Sequence, residues 1–153
     1  MFVSLDITSA TLYVGVSGYN KLTLNPVASG KVRFQSSRKT VAKVSSKGVV
    51  KAVKAGKATI TVYLKANQSV KAKCKITVKK PSLKVPSSLT VKKGKSVGLL
   101  VTATPAGKVT FKSSNKKIAK VTSNGVVEGK KKGKCQITVS CNGVKKTVKV
   151  YVK

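Results

Sequence analysis

The chain of 153 residues contains no histidine and no tryptophan, and its only acidic side chains are Asp6 and Glu128. Without histidine there is no Ser-His-Asp triad and no imidazole base. The two carboxylates fall in opposite halves, so neither half can pair carboxylates for acid–base work. A calcium site draws on several carboxylate or carbonyl oxygens, and the sequence has almost no carboxylates to give. Three cysteines, Cys74, Cys135 and Cys141, are an odd number, so at least one is unpaired within the chain. Three scattered thiols also fall short of the four ligands of a structural zinc. Ser–Lys pairs could be drawn anywhere in so Ser- and Lys-rich a chain and carry no information. The expectation is a protein that is not an enzyme, with no cofactor and no metal. No apolar stretch approaches the ~20 residues that cross a bilayer, so membrane insertion is not expected.

Lysine is what the sequence has in excess. Lys and Arg total 33, of which only Arg33 and Arg38 are arginine, and the formal net charge is +31. A net charge of only about 2–8 serves the solubility of a small domain. The surplus should draw polyanions, more weakly as salt rises. Candidate partners are an acidic protein surface, anionic or neutral glycans and wall polymers, phospholipid headgroups and nucleic acid. Sequence-specific reading of nucleic acid recruits arginine forks and stacking aromatics. With two arginines and 5% aromatics, specific nucleic-acid recognition is not expected, although any such polycation binds DNA non-specifically at low salt. The densest cluster, "GKKKGK", offers Lys130, Lys131, Lys132 and Lys134 as polyanion contacts. A turn of solvated lysines is the competing account.

Hydrophobic residues make up 41% of the chain, enough for a core. "VKAKCKITV" (70–78) and "TVKVYV" (147–152) alternate apolar and polar residues, the pattern of half-buried strands. In the first, Val70, Ala72, Cys74, Ile76 and Val78 face inward, while Lys71, Lys73, Lys75 and Thr77 face out. Cys135 and Cys141 share one face of one strand, roughly 20 Å apart and beyond disulfide reach. All three cysteines read as small buried hydrophobes. Outward lysines cover sheet with their stems and block edge-to-edge aggregation.

Slid against itself by 77 residues, the middle of the chain aligns without a gap. Phe34 meets Phe111, Ser36-Ser37 meets Ser113-Ser114, Gly48-Val49-Val50 meets Gly125-Val126-Val127, and Ile60-Thr61-Val62 meets Ile137-Thr138-Val139. Upstream, the same offset sets Leu12, Val14 and Leu22 on Leu89, Val91 and Leu99. By it, "LDITSATL" is one residue longer than "LKVPSSL". "SKG" and "SNG" read as tight turns, Asn124-Gly125 being suited to positive φ, and Gly56 and Gly133 read as a further turn. No segment holds a helical period. Each copy reads as roughly seven short strands in a β-sandwich. Lys79-Lys80-Pro81 is the join, which divides the chain into domains 1–80 and 81–153.

"FQSSRKTVAKVSSKGVVKAVKAGKATITV" and "FKSSNKKIAKVTSNGVVEGKKKGKCQITV" resemble the bacterial Ig-like domain, group 2, of the invasin/intimin type. The family's usual tryptophan is replaced here by Phe34 and Phe111. The resemblance implies an all-β chain of two tandem Ig-like Greek-key β-sandwiches. It also implies modules that display, space or bind, in bacterial adhesins, wall-associated proteins or phage capsid and tail appendages. The family has no shared ligand site, so no functional residue is carried over. "MFVSLDITSATL" shows no basic n-region, apolar h-region or cleavage site. The expectation is therefore synthesis in the host cytoplasm and a place on a virion surface as a decoration or appendage protein. If Met1 heads an excised fragment, the alternative is a bacterial cell-surface adhesin.

Overall fold

The computed structural model describes all residues, Met1–Lys153, and contains strands and turns but no helix. Two compact units form, Met1–Lys80 and Pro81–Lys153. The first holds β1 (Val3–Ser4), β2 (Ser9–Tyr13), β3 (Lys21–Thr23), β4 (Val27–Ala28), β5 (Val32–Ser36), β6 (Ala42–Val44), β7 (Val49–Ala52), β8 (Gly56–Leu64) and β9 (Lys71–Lys79). The second holds β10 (Ser82–Lys84), β11 (Ser88–Val91), β12 (Ser96–Gly98), β13 (Thr102–Thr104), β14 (Thr110–Ser113), β15 (Ala119–Val121), β16 (Val126–Gly129), β17 (Gly133–Cys141) and β18 (Val144–Val152).

Each unit is a sandwich. In the first, a four-stranded sheet in the order β2-β9-β8-β5 faces a three-stranded sheet in the order β3-β7-β6. The second repeats this as β11-β18-β17-β14 and β12-β16-β15. The nine segments exceed the roughly seven expected per copy, because the opening strand divides in two and a further short strand, β4 or β13, pairs with its first half. In the first unit β1 pairs antiparallel with β4, then the chain crosses to run parallel to β9 as β2. In the second, Pro86 lies in the break between β10 and β11, where its missing N–H costs no ladder bond.

Inward side chains come from both sheets. Val50 and Ile60 are fully buried in the first unit, Val127 and Ile137 in the second. Removing each such side chain from water contributes about 1.5–3 kcal/mol. The expected faces of β9 hold: Cys74, Ile76 and Val78 are buried, while Lys71, Lys73 and Lys75 are exposed. Cys74, Cys135 and Cys141 are free thiols in the two cores. Burial pushes the Cys74 thiol up, helped by the charge of Asp6.

The Ser-Ser pairs have a local cause. Ser36 is buried, and its hydroxyl donates to Ala42 O at 2.6 Å and accepts from Arg38 N–H at 3.3 Å. It closes the turn that leads into β6. Ser37 accepts from Thr59 N–H at 2.8 Å and stitches the end of β5 to β8. Ser113 and Ser114 repeat both arrangements with Ala119, Asn115 and Gln136.

Gly48 and Gly125 sit at φ +84° and +85°, each beneath the ring of Phe34 or Phe111. The turn before Gly125 is a three-residue hairpin loop in which Gly125 alone takes positive φ. The asparagine with positive φ is Asn142, not Asn124; with Gly143 it makes the two-residue turn between β17 and β18. Gly56 and Gly133, expected in a turn, are instead the first residues of β8 and β17.

Upstream of Phe34 the equivalence of the copies differs from the ungapped alignment. Leu24 N–H donates to Gly48 O, and Leu99 N–H to Gly125 O, so Leu99 matches Leu24 rather than Leu22. Leu12 pairs with Val78 and Val91 with Val152, so Leu12 matches Val91 rather than Leu89. Ser4 pairs with Val27 and Lys84 with Thr102, three residues beyond Leu24 and Leu99, so Leu5–Leu12 answers Val85–Val91 and is one residue longer, as expected. Each slip is two residues, which keeps every side chain on its face and leaves the hydrophobic pattern unchanged.

Candidate functional site

Every lysine in the chain is exposed, and a single ion pair joins a basic to an acidic side chain. The lysine coat is therefore the candidate surface, and its lysines are not evenly placed. No group of three or more His, Cys, Asp or Glu side chains is placed to hold a metal ion.

Lys130, Lys131 and Lys132 form the turn between β16 and β17. The N–H groups of Lys130 and Lys131 both donate to Ile118 O, at 2.8 and 3.1 Å, which fixes the backbone of the turn. The four candidate lysines then part company. Lys130 Nζ lies 2.8 Å from Glu128 Oε1. That hydrogen bond and charge hold the Glu128 carboxyl below its usual range, with Lys120 adding to the effect. Lys134 stands on the outer face of β17, 5.8 Å from the ring centre of Tyr151, a cation–π distance. It borders a shallow depression of about 400 Å³ with Gln136 and Lys149. Lys131 and Lys132 stay exposed at the turn. The cluster is thus a turn with one neutralised lysine, two solvated ones, and a fourth turned onto a sheet face.

The sheets gather lysines that are remote in sequence. In the first unit, Lys21 of β3 and Lys43 of β6 both register against Lys51 of the central strand β7. The result is a cross-strand row of three ammonium groups. The flanking Val50 and Ala52 are buried, so Lys51 points outward. Adjacent strands are about 4.8 Å apart, and like charges directly opposite one another are destabilising. In the second unit the same row reads Ser96–Glu128–Lys120. Glu128 therefore occupies the position that Lys51 holds in the first copy. Sequence reasoning missed this row. The 77-residue offset sets Lys51 on Glu128, but Lys21 and Lys43 join it only through strand registry.

The model of the bacterial Ig-like domain (group 2) matches residues 2–76 and 77–152. Its boundary falls just before the compact units divide, because β9 runs on through Lys79 and belongs to the first sheet. No curated protein matches the chain. Among solved structures, domains 1–6 of the surface-layer protein SbsC are 21% identical with a TM-score of 0.50; the match covers 99% of this chain and 27% of that one. SbsC domains 4 and 5 are 22% identical with a TM-score of 0.48, over 99% and 96% of the two chains. A C-terminal fragment of intimin, solved with the intimin-binding domain of its translocated receptor, is 20% identical with a TM-score of 0.45, over 99% and 63%. This chain thus spans about a quarter of the longer SbsC chain. Two family matches that together take in residues 2–152, on two sandwiches of one topology, lead to a single conclusion: the chain belongs to the bacterial Ig-like domain (group 2) family, as two tandem copies.

Proposed function

We propose that this pair of modules is a non-enzymatic surface-display element that adheres to a polyanionic surface through its lysine coat. The observation that carries the reading is the imbalance of charge on the folded surface. The net charge is +31, every lysine is exposed, and one ion pair is formed. Such a surface has its counter-charge outside the chain. Two carriers fit. One is a phage particle, on which the modules decorate an acidic capsid or tail or hold host and mucosal glycans. The other is a bacterial cell surface, as in an adhesin or wall-associated protein; the shared fold with a surface-layer protein favours this second setting. Non-specific DNA binding is a by-product of the same charge.

Co-sedimentation with purified envelopes and with phage particles, at low and high salt, tests the proposal. Retention at low salt and steep release at high salt is the expected result. Retention that ignores salt, or no retention on either carrier, overturns it. Mass spectrometry of the same two fractions from the native source identifies the carrier.

A further inference from the structure

We infer that the outer face of the three-stranded sheet in the first module, centred on Lys51, binds the carboxylates of an anionic polysaccharide. The inference rests on the reading that the lysine coat engages a polyanion, and it assigns that engagement to one face.

Lys21, Lys51 and Lys43 stand side by side across β3, β7 and β6, all exposed. Nothing in this row answers their charge. Asp6 accepts a hydrogen bond from Asn25 N–H, and Glu128 belongs to the second module. Facing ammonium groups are unfavourable in a sheet, yet the row is fully lysine.

The second module shows which group settles on such a face. There the central position is Glu128, bonded to Lys130 and registered against Lys120. A carboxylate thus stands over the central strand, with Lys120 beside it on one neighbouring strand, Ser96 on the other and Lys130 two residues on. The first module keeps Lys43 at the position of Lys120, has Val53 where the second has Lys130, and sets Lys21 and Lys51 where the second has Ser96 and Glu128, so a carboxylate among these three lysines has to come from outside the module.

A polysaccharide fits better than other polyanions. The face is the outer side of a three-stranded sheet, and the next row carries Thr23 and the half-buried Val49, with Ser45 at the turn beyond. An extended polymer can cross three strands there, setting charges on the lysines and its rings on the Val49 row. Lysines act as point charges, and the face lacks the arginine forks that grip phosphate in two-point fashion.

The experiment uses the full chain and three probes of matched charge at low salt: polygalacturonate, polyphosphate and poly-L-glutamate. Lys51→Glu is compared with Lys145→Glu, an equal charge change on the second module. Lys51→Glu sets a carboxylate between two lysines, so its melting temperature should match or exceed that of the parent. Polygalacturonate affinity should fall about tenfold for Lys51→Glu, equivalent to about 1.4 kcal/mol. For Lys145→Glu it should fall less than about threefold, under about 0.7 kcal/mol by the same relation. Amide shifts on titration should begin at Lys21, Lys43 and Lys51. The double variant Lys51→Glu, Glu128→Lys keeps the net charge and should move those shifts to β12, β15 and β16. Equal losses from both single variants would overturn the site while leaving the polyanion reading intact. Preference of the row for polyphosphate or polyglutamate would overturn the polysaccharide assignment. Failure of all three probes to bind would overturn this inference together with the function proposed above.

Discussion

Replacing Gly125 by alanine tests the packing logic of the turn that both copies share. Gly125 lies at φ +85°, where an L side chain costs about 1–2 kcal/mol. A Cβ there would sit 2.9 Å from Phe111 Cζ, with two further ring atoms at 3.3 and 3.4 Å. The ring must tilt, an overpacking cost of about 1–3 kcal/mol. Gly143 in the same module is the internal reference. Its φ is +79° and nothing lies within 4 Å of an added Cβ. Gly143→Ala should therefore cost about 1 kcal/mol and Gly125→Ala about 3 kcal/mol. At about 4–8 °C per kcal/mol for a domain of this size, the melting transition of the second module should fall about 4–8 °C and about 12–24 °C respectively. Differential scanning calorimetry on the full chain reads both. Phe111→Ala added to Gly125→Ala should recover part of the loss, a coupling of about 1 kcal/mol or more. Gly48→Ala in the first module should be worse than Gly125→Ala. Its Cβ would meet Leu24 O, a backbone atom, at 2.8 Å as well as the Phe34 ring. Equal costs for Gly125→Ala and Gly143→Ala would refute the reasoning, because backbone conformation alone would then explain the turn.

Four further outcomes follow from the cores, the turns and the charges. Ile137→Ala, at a fully buried position, should cost about 2–5 kcal/mol by denaturant unfolding. Ser113→Ala removes a buried hydroxyl that bonds Ala119 O and Asn115 N–H, and should cost about 1–3 kcal/mol, with Ser114→Ala costing less. The folded state lowers the pKa of Glu128 from 4.5, so its contribution is present above pH 4.5 and disappears as pH falls through the folded value; the Glu128→Gln melting curve should lack that acid limb. Cys74 is shifted the other way, so its contribution is full below pH 9.0 and fades above it, and thiol reagents at neutral pH should label it only on unfolding.

The sequence by itself determined the duplication, the absence of helix, the inward and outward faces of the long strands, and the burial of the three cysteines. These follow from period-two alternation and from a repeat strong enough to survive divergence, and both are local or pairwise properties of the chain. Tertiary structure decided the rest. A two-residue slip leaves alternation untouched, so only hydrogen bonds such as Leu24 to Gly48 and Leu99 to Gly125 fix the true equivalence of the copies. The division of the opening strand depends on which sheet each half joins. The lysine cluster legible as "GKKKGK" is a turn that Glu128 partly neutralises. The uncompensated row of Lys21, Lys51 and Lys43 is invisible in one dimension, because its members lie on three strands and meet only through registry. Alternation tells each lysine which way to face; pairing across the sheet tells it which charges it must face beside.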